Sequence, residues 1–548
     1  MTAHITVSRR LRGDDQMPSN PANPRVFKEW IIPVGSELAG YSALIAMYGV
    51  DAPVRAPSAV ANASVRGGRK HQDGWTIFDK RFMPENSLAG QLAFAFRNEQ
   101  TDLLVLKRLF QKVSAHDIAP IVEAAPTGAT TRRIWFFYEW LTNERVPLPD
   151  LDQGNYVEAL DSREYFTSQP VNSPRHRVRD NLLGTPSFCP VLRRSNFLSE
   201  TVDHRWNEAA KELIGKIDRQ VIARAANFLL LADSQATYQI EGERPPRNRL
   251  ELWMRAVAQA GRRPLSIDEL VRLQHIVIEE DRFIKRGLRD AGGFIGGRDW
   301  NNDPSPEHVP ARHEDVADLL QGVIACGERM AKSDVDAVLQ ASVMAFAFVF
   351  IHPFEDGNGR LHRYMIHHVL SERGYTPTGM IFPVSSVLLK RQAEYGEELR
   401  AFTGPLLQFV EWVPTDKQNV RVINDTADLY RFGDYTEITE FLYECVVTTI
   451  EHDLPREIEY LARFDEAKGR IQSFIEMPDG MISSLINFVR QNDGVLAKKR
   501  RRREFEKMTD LEIEAAEAVV RDVFEMNVPE DGPELLEQVD PPAAPGRR

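Results

Sequence analysis

The stretch His352-Pro-Phe-Glu-Asp-Gly-Asn-Gly-Arg-Leu-His-Arg363 decides how the rest of this chain is interpreted. It follows a strongly apolar segment and opens a second helical pattern. Pro353 predicts the end of the first helix and leaves His352 at its C-terminal edge, where an imidazole is a candidate base near neutral pH. Asp356 offers a hard oxygen ligand of the kind that magnesium prefers.

The remaining residues of the stretch suit an anion. Gly357 and Gly359 allow backbone amides to approach a ligand closely, at a helix N-terminus that presents unpaired N–H groups. Arg360 and Arg363 are three residues apart on the predicted helix, so both can face the same phosphates. Phe354 is predicted to point into the core. Taken singly, each residue also fits an ordinary turn between two helices, but the set together favours a phosphate site.

Composition sets the outer limits. The chain has 548 residues, of which 43% are hydrophobic and 27% charged, so we expect several packed domains and exclude wholesale disorder. Its 68 basic and 80 acidic residues give a net charge of −12, which excludes nucleic-acid binding by the chain as a whole.

Cellular location is inferred from cysteines and apolar runs. Cys189, Cys326 and Cys445 are far apart and lack CxxC spacing, which argues against a disulfide framework or a zinc ribbon. The most apolar stretch, 337–351, is too short to span a bilayer, and the N-terminus lacks the apolar core of a secretion signal. We therefore expect a cytoplasmic protein without membrane contact.

Residues 352–363 resemble the signature of Fic-domain proteins, HPFx[D/N]GNGRxxR, at every specified position. The likeness continues on both sides. Residues 308–320 (HVPARHEDVADLL) are similar to the family's segment before the apolar helix, and residues 382–399 (FPVSSVLLKRQAEYGEEL) to the segment after the motif helix. Together the resemblance covers roughly residues 200–410.

A further likeness concerns the β-hairpin flap that holds the target polypeptide in Fic proteins. Residues 289–297 (RDAGGFIGG) resemble it. Two departures are Leu288, where an aromatic residue is usual, and Gly396, where many relatives have a second tyrosine near the adenine. The flap residues predicted to contact the target are Gly293, Phe294 and Ile295.

The resemblance implies transfer of AMP from ATP to a Tyr, Thr or Ser hydroxyl of a target protein. On that model His352 takes the hydroxyl proton, and Asp356 holds Mg²⁺, or Mn²⁺ in its place, between the α- and β-phosphates. Arg360 grips the β- and γ-phosphates, while Arg363 reaches the γ-phosphate. The anion hole is lined by Gly357, Asn358 and Gly359.

A second resemblance lies upstream. Residues 237–242 (TYQIEG) end an amphipathic pattern and are similar to the [S/T]xxxE[G/N] inhibitory helix of class II Fic proteins, here near 226–242. A lone Glu241 would be interpreted as a solvated surface residue. The resemblance instead implies a salt bridge from Glu241 to Arg363 that excludes the γ-phosphate. In relatives the same glutamate can position water for removing AMP, so de-AMPylation stays open.

The predicted fold is mostly α: a Fic helical core with a short β-hairpin flap, an α+β N-terminal domain and a helical C-terminal domain. Residues 203–240 are predicted as one long helical segment. The predicted divisions are a disordered leader (1–25), an N-terminal domain of unknown role (26–199), a Fic domain (200–415), a helical C-terminal domain (416–526) and a disordered tail (527–548).

The run Lys498–Arg503 is the densest charge cluster in the chain. Such runs usually lie on solvated helix faces; the alternative is contact with nucleic acid or an acidic partner. A homodimer is a further expected partner. Two rival functions stay open: another nucleotide donor on the same scaffold, and a DNA-binding or adaptor regulatory protein whose Fic core is inactive. The sequence does not specify the target protein.

Overall fold

A computed structural model describes residues 25–278 and 284–526. The predicted tail, and the predicted leader apart from Arg25, lie outside these residues. Over the part of the chain that is described, no helix is long and apolar enough to cross a membrane.

Helices dominate the structure, as predicted. In chain order they are α1 (Gly40–Tyr48), α2 (Leu88–Asn98), α3 (Leu103–Phe110), α4 (Ala115–Ala124), α5 (Ala129–Thr142), α6 (Asn196–Asp203), α7 (Trp206–Gly215), α8 (Arg219–Ile240), α9 (Arg247–Val257), α10 (Ile267–Val277), α11 (Val316–Ala331), α12 (Ala337–Ile351), α13 (Asn358–Glu372), α14 (Val384–Lys390), α15 (Gln392–Leu407), α16 (Ala427–Arg431), α17 (Thr436–Thr448), α18 (Leu454–Gln472), α19 (Asp479–Gln491), α20 (Lys498–Arg503) and α21 (Asp510–Val523).

The strands are short. They are β1 (Val26–Phe27), β2 (Trp30–Ile31), β3 (Ser36–Leu38), β4 (Ser58–Ala61), β5 (Arg69–Gln72), β6 (Trp75–Phe78), β7 (Val157–Glu158), β8 (Val171–Ser173), β9 (Val178–Asp180), β10 (Cys189–Val191), β11 (Ile295–Arg298), β12 (Pro304–His308), β13 (Trp412–Pro414), β14 (Val420–Val422) and β15 (Phe432–Asp434).

The described residues form two compact units. One runs up to Leu192 and also contains 405–413 and 422–434, and the other contains the remainder. The first unit is α+β, with a four-stranded sheet in the order β3-β4-β6-β5 and helices α1 to α5. The sheet is antiparallel except for the parallel pair β4–β6.

These units differ from the predicted divisions in the segment after residue 415. Strand β15 pairs in parallel with β10, with Phe432 opposite Cys189, and so joins the first unit. The region 416–526, predicted to be helical, contains strand β14, and its continuous series of helices begins only at Thr436. A pairing between strands more than two hundred residues apart leaves no local pattern in the sequence, because the two strands meet only when the chain between them has folded.

The core of the second unit is the helix pair α12–α13. Every residue of α12 is buried, which is typical of a helix surrounded by others on all sides. Asp336 caps its start by accepting hydrogen bonds from the amides of Val338 and Leu339. The helix ends at His352, whose left-handed backbone (φ 53°) turns the chain toward α13.

The predicted single segment 203–240 is divided into two helices, α7 and α8, which follow the last residue of α6. Arg205 adopts a left-handed conformation (φ 55°) before α7, and Asp218 caps α8 by accepting a hydrogen bond from the amide of Gln220. Only α8, which ends at Ile240, corresponds to the predicted inhibitory helix near 226–242.

Helices α18, α19 and α21 surround a separate small hydrophobic core that includes Ile471, Leu485 and Val520. The basic run forms the short helix α20. Two of its six cations are already paired with acids, Arg500 with Glu504 and Arg501 with Asp510.

The buried His362 on α13 makes stability depend on pH. Its Nδ1 lies 2.8 Å from the carbonyl oxygen of Ala345, and burial lowers its pKa to about 3. In the unfolded chain the pKa is about 6.5, so below that pH the unfolded state binds a proton that the folded state does not. We predict that stability falls as pH decreases from about 6.5 toward 3, by about 1.4 kcal/mol per pH unit for this one group.

The measurement is urea unfolding at several pH values between 7.5 and 4.5. His362→Gln should make the pH dependence shallower, whereas His452→Gln, at an exposed histidine, should leave it unchanged. Parallel pH profiles for the wild type and His362→Gln would show that His362 is not the group responsible.

Candidate functional site

The imidazole of His352 lies at the junction of α12 and the following loop. Its Nδ1 is 3.3 Å from the carbonyl oxygen of Val349, which leaves Nε2 as the nitrogen able to accept a proton. Burial, with His308 and Arg289 nearby, lowers the pKa of His352 to about 3. The ring is therefore neutral at pH 7, as a general base must be. Anionic phosphates arriving beside it would raise that pKa and strengthen it as a base.

Arg289 holds the backbone around His352. Its Nε donates to the carbonyl oxygen of His352 at 2.7 Å, and its Nη2 lies 3.3 Å from that of Ile351. Its backbone N–H donates to the carbonyl of Pro353 at 3.0 Å. The side chain is buried, so these bonds satisfy carbonyl groups at the end of α12 that water does not reach. The sequence analysis quoted Arg289 only as the start of the flap and missed this role.

The loop between the helices is closed by Asn358. Its Oδ1 accepts from the amide of Phe354 at 3.0 Å, and its Nδ2 donates to the carbonyl of Phe354 at 2.8 Å. Both residues are buried. The Asn358 side chain therefore shapes the loop, and the groups left to face an anion are backbone amides in the first turn of α13.

Asp356 lies beside that first turn with its side chain 43% exposed. Its Oδ1 accepts from the amide of Gly357 at 2.6 Å and is 3.2 Å from Nη2 of Arg360. Within the described ranges no group of three or more His, Cys, Asp or Glu side chains could hold a metal ion. One half-exposed carboxylate suits Mg²⁺ all the same, since this ion is commonly held by one or two carboxylates together with substrate phosphates and water.

The second motif arginine, Arg363, is paired with the end of α8. Its Nη2 donates to Oε1 of Glu241 at 2.6 Å and to the carbonyl of Thr237 at 2.9 Å, while its Nε donates to the Thr237 hydroxyl at 2.5 Å. Arg363 is 2% exposed and Glu241 is 34% exposed. This is the ion pair that the family resemblance implied.

The side chain of Glu241 lies close to the backbone of Gly359. A Cβ atom added to Gly359 would lie 2.1 Å from Oε1 of Glu241. A side chain at this position would therefore push the carboxylate aside, whereas glycine leaves room for it beside Arg363.

A buried pair one turn earlier holds α8 against α13. Oδ2 of Asp233 is 2.8 Å from Nε2 of His367, and Oδ1 accepts from the amide of Ser385 at 2.7 Å. Asp233 lies four residues before Thr237, just as His367 lies four after Arg363, so both contacts repeat at one helical turn. The sequence analysis missed this pair, although its four-residue spacing on both helices is the signal that could have revealed it.

The first motif arginine, Arg360, has a partner that the sequence analysis also missed. Its Nη1 donates to Oε2 of Glu243 at 2.8 Å. Its guanidinium also lies over the ring of Tyr238, 5.3 Å from the centroid. Both motif arginines are therefore bound by the segment that ends α8.

The predicted flap is a β-hairpin of β11 and β12, with a register shift between Ile295 and Gly296. All of β11 is exposed, so its outer edge and the side chain of Ile295 face solvent. The other two predicted flap residues, Gly293 and Phe294, are half-buried just before it. At the base of the hairpin, Nε2 of His308 is 2.8 Å from the carbonyl oxygen of Phe350.

Gly396, one of the two departures, directly follows Tyr395. The Tyr395 ring is buried, and it stacks on His362 with a centroid separation of 6.0 Å. The histidines His362 and His368 on α13 are likewise buried, and His368 accepts from the amide of Gly261 at 3.3 Å. They are packed core residues.

The fold and the site define a class: a helix pair joined by an anion-binding loop with a histidine at its start. Residues 264–370 match the model of the Fic/DOC family. The chain therefore contains a Fic domain, which confirms the resemblance drawn from residues 352–363.

Two curated relatives are similar over part of their length. Protein adenylyltransferase fic-1 of Caenorhabditis elegans is 27% identical over 151 residues, which are 27% of this chain and 26% of the relative. Protein adenylyltransferase Fic of Drosophila yakuba is 27% identical over 190 residues, covering 34% of this chain and 32% of the relative. The chain thus spans between a quarter and a third of the length of the curated relatives it matches.

A similar solved structure is that of a Fic-domain-containing signaling protein from Bacteroides thetaiotaomicron. It is 17% identical, with a TM-score of 0.33, and the alignment covers 49% of this chain and 97% of that one.

Proposed function

We propose that this chain is a protein adenylyltransferase that transfers AMP from ATP to a hydroxyl group of a target protein, and that its own residues 237–243 restrain it. The observation that carries the proposal is the arrangement around His352. The neutral imidazole of His352, whose backbone carbonyl is held by Arg289, lies at the start of a loop that leads directly into amide groups and two buried arginines. The names of the two curated relatives support the same reaction.

In this proposal the residues act mainly by position and charge. His352 accepts the proton from the attacking hydroxyl at Nε2 while its Nδ1 stays on the carbonyl of Val349. The backbone amides at the start of α13 receive phosphate oxygens, and Arg360 and Arg363 stabilise the departing pyrophosphate. When bound at Asp356, Mg²⁺ would neutralise phosphate charge.

Glu241 opposes this arrangement. Its carboxylate occupies the guanidinium of Arg363, on which the γ-phosphate would bind, and its own negative charge would repel that phosphate. Substrate ATP can then reach a productive pose only after the ion pair opens. The three cysteines are buried and joined in no disulfide, which fits the cytoplasmic location expected for such an enzyme.

Loss of the base should stop transfer. Because wild-type activity is expected to be restrained, His352→Ala is compared with its parent in a Glu241→Gly background. Auto-labelling with ATP labelled at the α-phosphate should fall by roughly 10²–10⁴-fold, the effect of removing a general base. ATP affinity and the melting temperature should change little.

The left-handed backbone at His352 is better tolerated by asparagine than by alanine, so His352→Asn separates loss of the imidazole from loss of the loop conformation. Labelling near the parental level by either variant would remove His352 from the proposed mechanism.

The role of Asp356 is tested with two variants, again in the Glu241→Gly background. Asp356→Ala and Asp356→Asn should both lose labelling supported by Mg²⁺, because each removes the negative charge that holds the ion. Asparagine keeps an oxygen that can accept the hydrogen bond from Gly357. The measurement is labelling across a Mg²⁺ titration, and full labelling by either variant, or by the parent in excess EDTA, would contradict a metal role.

Removal of the brake should release activity. Glu241→Gly should label itself well above the wild type, because Arg363 becomes free for the γ-phosphate. Arg363→Ala should not be released, since it loses that phosphate contact together with the brake, and the double variant should resemble it. Labelling of all four proteins is measured at equal concentration.

The control for a glycine at the end of α8 is Gln239→Gly, which alters an exposed neighbour on the same turn. If Glu241→Gly labels no better than Gln239→Gly, Glu241 is an ordinary surface residue. Parallel reactions with labelled UTP and GTP test the rival nucleotide donors.

A further inference from the structure

Arg360 is enclosed by carboxylates on both sides of its guanidinium. It is 1% exposed, with Nη1 donating to Glu243 at 2.8 Å and Nη2 lying 3.2 Å from Oδ1 of Asp356. A bidentate grip on a phosphate uses two such N–H groups of one guanidinium. In this arrangement both terminal nitrogens are already engaged by the protein itself.

Glu243 reaches Arg360 because the chain turns sharply after Glu241. Gly242 adopts a left-handed backbone (φ 72°), and the amide of Glu243 donates back to the carbonyl of Tyr238 at 2.9 Å. The turn brings Glu241 and Glu243 to neighbouring positions against α13, the first on Arg363 and the second on Arg360. Glu241 and Glu243, which are separated by one glycine, thus each pair with one of the two motif arginines.

The position of Glu243 is also fixed from its other side. Its Oε2 is 3.4 Å from Nη2 of Arg249, and Arg249 in turn donates from Nη2 to the carbonyl of Val277 at 2.5 Å. The side chains of Arg249 and Arg360 both lie over Tyr238, each 5.3 Å from its ring centroid. The Glu243 side chain, 34% of which is exposed, is therefore held in position between two arginines.

We propose that Glu243 is a nucleotide-specificity residue: its carboxylate competes with the β-phosphate of the nucleotide for Arg360, independently of the contact between Glu241 and Arg363. The inference rests on the proposed function, in which Arg360 binds the β- and γ-phosphates. An incoming β-phosphate must displace Glu243 from Nη1 and then remain close to a like charge. A nucleoside monophosphate has no β-phosphate and escapes this competition.

The test is the affinity of the full-length chain for AMP, ADP and ATP, measured by titration calorimetry in the presence of Mg²⁺. Glu243→Gln keeps the shape of the side chain and removes its charge. It should bind ADP and ATP more tightly by about tenfold, with AMP unchanged, because only the former two carry a phosphate for Arg360. Glu241→Gly should tighten ATP alone, since Arg363 serves the γ-phosphate.

The matched control is Glu251→Gln, which removes a half-exposed carboxylate paired with Arg247 on the neighbouring helix α9. It should leave all three affinities at their wild-type values. Melting temperatures establish that each variant is folded, and Glu243→Ala replaces Glu243→Gln in the comparison if the latter does not fold.

Three results would overturn the inference. If ADP affinity in Glu243→Gln equals that of Glu251→Gln while Glu241→Gly still tightens ATP, Glu243 only neutralises a buried arginine, and the proposed function stands without it. If ADP binds more weakly, Glu243 orients Arg360 for phosphate instead of competing with it. If no variant binds ATP, the proposed function fails and this inference fails with it.

Discussion

The structure depends on the need to pair two buried guanidinium groups. Arg360 and Arg363 lie on α13 with almost no exposure, and an unpaired buried charge is far too costly to tolerate. In the chain alone the partners are Glu241 and Glu243, which follow the end of α8, together with Asp356 beside Arg360. In the proposed reaction the partners are phosphates. Under the proposed function, restraint and catalysis would be two solutions to this one electrostatic requirement, and they would exclude each other because the same N–H groups serve both.

This exclusion requires a rigid frame, which the helix pair α12–α13 provides. Helix α12 is mostly apolar and buried on every side, which places it in the centre of its unit. Arg289 then holds the carbonyl groups where α12 ends, and Asn358 closes the loop before α13 begins. His352 and the first amides of α13 are consequently held in position without help from a ligand.

The packing of α8 against α13 depends on a different kind of contact. Its contacts with α13 are polar and lie in a row: Asp233 on His367, then Thr237 and Glu241 on Arg363. Polar contacts of this kind can be exchanged for a ligand of similar charge, whereas the apolar packing of α12 cannot. The proposed function thus combines a loop that is fixed by packing with a segment whose contacts to the two arginines can be replaced by phosphate. His352 is neutral while the arginines are paired with the end of α8, since its low pKa arises chiefly from burial.

The sequence by itself determined the likeness to a Fic domain and the helical character of the chain. The residues from His352 to Arg363 are contiguous, and their chemistry follows from residue type and spacing along one turn and one helix. Tertiary structure alone decided the rest. The pairing of β10 with β15 and the contacts of Arg289, Asp233 and Glu243 all depend on groups that are distant along the chain. The role of a carboxylate depends on the cation with which it pairs, and for Glu241 and Glu243 that cation is set by how α8 packs on α13.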